Sequence, residues 1–321
     1  MLYVTIFNIL KIMFLIVAPG TTALPPKGWG AVESIVWDYY TELIEQGQRV
    51  ELVNKTTQAD IIDYCNRYPD SIVHIMYDDH ICVVPHLKCK KILYTSHLAY
   101  LTHPLFTTLA QPYYEHIFKK VMEYQDRITF HVLSKEIEKV YQDHGYSGKS
   151  IVVRNGARTF RTTLTPQKGD RSIYIAKIEY RKRQYKYQWI RSIDFVGNYH
   201  DSPFDSSHYL GEWDKPTLYD SLTEYGNLVL LSEAEADPLV VKEALMAGLG
   251  VVLSPCCTAN LDLSKDFITV IPTEKLDDLN YISSEIEKNR SISLKKRQDI
   301  IDYASYFSWK TIIKEYIALT V

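Results

Sequence analysis

In the stretch Ser232-Glu-Ala-Glu-Ala-Asp-Pro-Leu-Val-Val-Lys-Glu-Ala-Leu-Met-Ala-Gly248 an apolar strand ends and an acidic loop follows. Asp237-Pro238 then reads as the N-cap and first residue of a helix, and Gly248 suits the left-handed position that closes it. In an open α/β fold such a loop and helix N-terminus lie at the carboxyl edge of a parallel sheet, where free backbone N–H groups attract a phosphate. Glu235 sits in the loop, and Glu243, separated from it by seven residues, lies about a turn and a half into the helix. Carboxylates beside a diphosphate are unfavourable unless they accept hydrogen bonds from hydroxyls, which ribose and hexose groups supply. A nucleotide sugar satisfies both demands.

The spacing and the surrounding Pro-Leu-Val-Val-x-Glu-Ala-Leu-x-Ala-Gly resemble the signature of glycosyltransferase family 4, and the likeness extends over most of the chain. It includes Gly28-Trp29-Gly30-Ala31-Val32-Glu33, similar to the family's Gly-rich turn that faces the donor diphosphate. Ile173-Tyr-Ile-Ala-Lys-Ile-Glu-Tyr-Arg-Lys182 resembles a strand followed by two basic clamps, Lys177 and Lys182. Taken alone, Arg181-Lys182-Arg183 with Lys186 would read as a solvated helix face; the position after a strand favours the clamp. Thr95-Ser96-His97 resembles the place where family members present a histidine to the sugar's acceptor side.

The resemblance implies the GT-B architecture: an α/β chain of two Rossmann-like domains whose parallel sheets face each other across a cleft, with the C-terminal helix crossing back. It further implies a retaining, metal-independent transfer of a hexose-type sugar from a nucleoside diphosphate to an acceptor hydroxyl. No cofactor is expected beyond the nucleotide sugar as co-substrate, a UDP-sugar ranking before a GDP-sugar. Glu235, His97 and Lys182 are the implied catalytic residues. The donor would be held by Gly28, Trp29, Gly30, Lys177, Lys182, Leu210, Asp237, Pro238, Leu239, Val240 and Glu243, with Glu243 on the ribose. Asp237 stands where the family commonly has an aromatic, Gly250 where it has Pro, and Thr258-Ala-Asn-Leu-Asp262 lacks the usual Gly-Gly stretch. Those departures surround the sugar, so its identity stays open.

These residues need two sheets to position them. At 321 residues the chain exceeds what one core usually supports, and 46% apolar with 23% charged residues is ordinary globular composition. Short β-branched runs alternate with amphipathic stretches, the pattern of parallel sheets wrapped by helices. Strands are expected near Ile12–Ala18, Arg49–Val53, Ile72–Met76, Ile92–Thr95, Ile128–Val132 and Ile151–Val153. A second series follows at Ile173–Lys177, Ile193–Gly197, Tyr209–Gly211, Leu228–Ser232, Gly250–Leu253 and Ile268–Ile271. Asn155-Gly156-Ala157 with the polar stretch Arg158–Arg171 reads as the connection, dividing an acceptor domain, 1–160, from a donor domain, 161–303. A final helical stretch, Ile300–Leu319, would return from about residue 304 to complete the first domain, through 321.

Other classes fit less well. A formal net charge of −3 argues against nucleic acid as a partner. Five cysteines without a CxxC pair suggest neither a disulfide framework nor a structural zinc, and a reducing cytoplasm fits best. Leu2–Ala18 is apolar enough for a signal peptide or anchor, but no basic residue precedes it, Lys11 interrupts it, and cleavage would delete the first strand. Peripheral membrane contact stays open, as do glycan, lipid-linked and small-molecule acceptors and the oligomeric state. Glu233, Glu235 and Asp237 alternate and could share a metal if extended, yet no Asp-x-Asp occurs. An inactive sugar- or nucleotide-binding relative, or a sugar-nucleotide epimerase, are the alternatives on the same fold.

Overall fold

The computed structural model describes residues 12–28, 30–97, 104–159 and 165–321. The apolar runs become strands, the four central ones buried on both faces and the edge strands β2 and β6 partly exposed: β1 (Met13–Val17), β2 (Arg49–Val53), β3 (Ile72–Ile75), β4 (Lys91–Tyr94), β5 (Thr129–Val132) and β6 (Lys149–Val152). They form one parallel sheet in the order β2-β1-β3-β4-β5-β6. Successive side chains of β1 alternate between its two cores, Leu15 and Val17 on one face and Phe14 and Ile16 on the other. Helix α1 (Ala31–Glu45) covers the second face with Ile35, Val36, Tyr39 and Leu43, which recur at helical spacing.

A second sheet follows, built from β7 (Lys168–Ile175), β9 (Ile193–Val196), β11 (Tyr225–Leu230), β12 (Gly250–Leu253) and β13 (Ile268–Val270) in the order β13-β12-β11-β7-β9, again parallel. The short β8 (Ile178–Glu179) and β10 (Tyr199–Asp201) pair separately beside it. Tyr209–Gly211, expected as a strand, makes only an isolated bridge from Tyr209 to Phe195 before the chain turns at Gly211. Conversely, β7 begins at Lys168, inside the stretch expected as linker, because its polar start pairs with Tyr225.

The final helical stretch is two helices rather than one. Arg297–Ala304 ends in a 3-10 turn, Ser308 becomes extended and caps Thr311 N–H through its hydroxyl, and α10 (Trp309–Thr320) starts anew. That break lets α10 cross back to the first sheet, where Trp309, Ile312, Ile313 and Tyr316 join the core beneath α1. The Tyr39 ring lies 5.4 Å from Trp309 and 5.1 Å from Tyr316, edge-on to both. Each such fully buried apolar side chain contributes about 1.5–3 kcal/mol. Gly156 permits the crossing: a Cβ there would lie 2.6 Å from the Trp309 ring.

Beneath this seam runs a buried polar chain. His74 Nδ1 meets the Tyr316 hydroxyl at 3.1 Å and His74 Nε2 meets Thr95 Oγ1 at 2.7 Å. Thr95 Oγ1 also contacts His131 Nδ1, whose Nε2 reaches the Tyr39 hydroxyl at 3.4 Å. Burial pushes His131 down to about 3 and His97 to about 4, and it holds His74 well below the ordinary histidine value, with the His131 and His97 charges adding to the effect. The unfolded chain therefore binds protons that the native one refuses, so stability is complete above about pH 6.5 and is lost as pH falls. Asp78, pushed up to about 6 by burial, opposes this by one proton against three. Thermal unfolding between pH 7.5 and 5 should show a falling Tm, each histidine contributing roughly 1 kcal/mol per pH unit, and a shallower slope in His131→Asn. A Tm that is flat across that range would contradict the neutral buried chain.

Candidate active site

Loops leaving the carboxyl ends of both sheets converge on one cleft of about 700 Å³. From the first sheet come Gly28 and Gly30 before α1, Tyr77 and Asp78 after β3, and His97 after β4. The second contributes Lys177 beyond β7, Arg181 and Lys182 from a 3-10 turn, and Ala234 to Val240 beyond β11. Topology alone thus gathers residues distant in sequence, since parallel strands point all their ends one way.

Helix α7 (Leu239–Met246) starts at the cleft with Pro238 as N-cap and no side-chain cap, which leaves its first N–H groups for a ligand. It closes as expected: Gly248 has φ +81°, its N–H donates to Leu245 O at 3.0 Å, and Leu249 N–H donates to Ala244 O at 2.9 Å. Asp237, expected as the cap, does something else. Its carboxylate takes the ammonium of Lys242, both side chains being 0% exposed, and accepts Asn155 N–H at 2.6 Å. Asn155 Nδ2 returns a bond to Asp237 O at 2.8 Å. A fully buried lysine needs a counter-charge more than the helix end needs a cap, and the helix starts one residue later, with Pro238 at the N-cap.

Glu235 and Lys182 are in direct contact, their side chains only 10% and 13% exposed. Burial by itself would raise the Glu235 carboxyl; the nearby Lys182 and Arg181 charges and the Lys182 hydrogen bond outweigh it and hold the group below the ordinary carboxylate range. Arg181 ties its turn to the acidic loop, donating to Ala234 O at 2.6 Å and to Glu179 Oε1 at 2.7 Å. Lys177 Nζ lies 3.6 Å from Glu179 Oε2. Glu243 accepts from Lys215 Nζ at 2.6 Å, and Lys215 also lines the cleft. Glu233 pairs with Arg183 at 2.9 Å. The alternating Glu233, Glu235 and Asp237 thus take three different cations, and among the described residues no group of three or more His, Cys, Asp and Glu is placed to hold a metal.

His97 lines the opposite wall, and both its buried ring nitrogens lack a partner among the described residues. Burial keeps it neutral at physiological pH. Gly28, Gly30, Pro238, Leu239 and Val240 line the cleft as expected. Leu210 does not: its side chain is exposed outside the lining, and its N–H donates to Phe195 O at 2.9 Å within the isolated bridge. Trp29 falls outside the described residues. Sequence reading overlooked Lys215 and Asp78. Lys215 was signalled only as a helix start, Asp214 accepting Thr217 N–H at 2.9 Å, and nothing linear ties it to Glu243.

Two facing parallel sheets of six and five strands, a cleft between their carboxyl edges and a returning C-terminal helix define the architecture. The chain has the GT-B fold. It superposes on a sucrose-phosphate synthase from Thermosynechococcus elongatus with a TM-score of 0.70 and 13% identity, covering 96% of this chain and 98% of that one. Anabaena HepE, solved with UDP and glucose, gives 0.69 at 13% identity over 96% and 99%. The lipopolysaccharide outer core galactosyltransferase WaaB gives 0.67 at 14% over 96% and 98%. No protein-family model matches the sequence, and no curated protein matches it significantly. Among the described residues no helix is long and apolar enough to cross a membrane.

Removing one member of a buried pair strands the other. Asp237→Ala should cost about 3–5 kcal/mol in urea unfolding, while adding Lys242→Met should recover much of the loss. A single-variant cost below about 1 kcal/mol would mean that the clasp contributes no more than a surface ion pair.

Proposed function

We propose that the protein is a retaining glycosyltransferase of family 4 type that moves a hexose-type sugar from a nucleoside diphosphate to an acceptor hydroxyl without a metal or other bound cofactor. The observation that carries this reading is the contact between Glu235 and Lys182 beside Lys177, Arg181 and the uncapped end of α7. It sets a sugar-orienting carboxylate against a cationic site sized for a diphosphate. A UDP-sugar is favoured over a GDP-sugar, in keeping with the UDP bound to the HepE structure. Residues 1–160, completed by 304–321, would hold the acceptor, and 161–303 the donor. The reaction is assigned to the cytoplasm, with room for peripheral membrane contact.

In this mechanism the bond from the anomeric carbon to the diphosphate oxygen breaks, and its electron pair stays on the leaving phosphate. The acceptor oxygen forms the new bond on the same face, and its proton passes to that phosphate. Lys177, Arg181, Lys182 and the N–H groups of α7 and α1 stabilise the charge that grows on the leaving group. Glu235 orients sugar hydroxyls, while Glu243 accepts from the ribose, its Oε1 already set in place by Lys215. Neutral His97 can both donate to and accept from the sugar.

A thermal-shift series with UDP, GDP and ADP tests the donor site, since a ligand that binds only the folded chain must raise its stability. UDP should give the largest shift, and Glu243→Ala should weaken it by about 1.5–3 kcal/mol of binding. Undiminished nucleotide affinity in that variant would remove Glu243 from the ribose. With the donor so selected, turnover should survive EDTA and fall by about 10²-fold or more in Glu235→Ala while UDP affinity is kept. Activity abolished by EDTA and restored by magnesium or manganese would overturn the metal-independent reading.

A further inference from the structure

Among the described residues four carboxylates line the cleft, and three are matched by a lysine: Glu235 by Lys182, Asp237 by Lys242 and Glu243 by Lys215. The fourth, Asp78, is different. It is only 6% exposed, the Tyr94 hydroxyl donates to its Oδ1, and the Ser96 hydroxyl is a second neutral donor beside it. Among the described residues no cation acts on it, and the charge it feels is that of Asp79, of its own sign. Burial pushes the carboxyl up to about 6, the Tyr94 and Ser96 hydrogen bonds working the other way, so it is ionised at pH 7.5.

Its surroundings are those of a sugar rather than of an anion. Tyr77 and Tyr113 line the same wall, and the Tyr113 hydroxyl donates to Asp79 Oδ1 at 2.8 Å. His97 adds two buried ring nitrogens that have no partner among the described residues. Among the described residues the cations that line the cleft, Lys177, Arg181, Lys182 and Lys215, all belong to the half built on the second sheet. A phosphate brought against Asp78 and Asp79 would meet two like charges without compensation, whereas a hydroxyl meets a buried acceptor oxygen and aromatic surface.

We propose that this wall binds a neutral, polyhydroxylated acceptor sugar, one of whose hydroxyls donates to Asp78, and that it rejects acceptors carrying a phosphate beside the attacking hydroxyl. The assignment rests on the donor half being read as above, which places the acceptor on the first sheet's side. Asp78 acts by holding a hydroxyl and excluding negative charge; the acceptor proton still leaves with the diphosphate.

Saturation-transfer NMR on the full chain, with and without UDP, tests this with methyl β-glucopyranoside, methyl β-galactopyranoside and glucose 6-phosphate as probes. At least one neutral glycoside should bind, and the sugar phosphate should bind about tenfold more weakly or not at all. Asp78→Ala should weaken the glycoside by about tenfold, and Asp78→Asn, which keeps an oxygen for Tyr94, should narrow the gap between neutral and phosphorylated probes. Glucose 6-phosphate binding as tightly as the glycosides, no binding of either glycoside, or glycoside binding unchanged in both variants would each overturn the proposal. The UDP thermal shift separates the two readings. A lost shift with the sugar discrimination intact sinks the donor site alone, and an intact shift without discrimination sinks only the acceptor wall.

Discussion

The arrangement depends on one buried charge. Lys242 lies on the donor-side helix with no exposure, and an ammonium out of water costs several kcal/mol unless it is paired and hydrogen-bonded. Asp237 supplies the pair, and the same carboxylate accepts the N–H of Asn155 in the connection between the sheets. The ammonium also lies 6.0 Å from the centre of the Phe307 ring, in the turn that precedes the returning helix. A single ion pair therefore joins the acidic loop, the crossover and the C-terminal segment. The loop carrying Glu235 cannot shift without disturbing the joint between the two halves.

Charge is divided across the cleft. On the side of the second sheet, acids and bases alternate in contact, so the lysines are held in place and an anionic ligand that met them would require little reorganisation. Among the described residues the facing wall is neutral or negative, with a histidine kept uncharged by burial and a carboxylate without a cation.

Much of this was legible in the chain. Alternating β-branched runs announced two parallel sheets, and the run from Glu235 to Gly248 announced a loop, a helix and its left-handed close. The errors share a cause. Asp237 has the right residue type for an N-cap, but a buried lysine five positions later claims its carboxylate. Tyr209–Gly211 is apolar enough for a strand, yet only one residue of it finds a bridging partner. The final stretch keeps helical period through a break at Ser308 that periodicity cannot register.

By itself, then, the sequence determined the fold class, most of the strand series and many of the residues that line the cleft, because hydrophobic period, glycine placement and capping patterns act over a few neighbouring positions. Only the tertiary structure decided which charges meet. Lys215 and Glu243 lie 28 positions apart, Lys182 and Glu235 lie 53 apart, and Asn155 and Asp237 lie 82 apart. Nothing local distinguishes those residues from solvated ones. It also decided that Asp78 meets no cation among the described residues, a property of what is packed around it and of no motif in the chain.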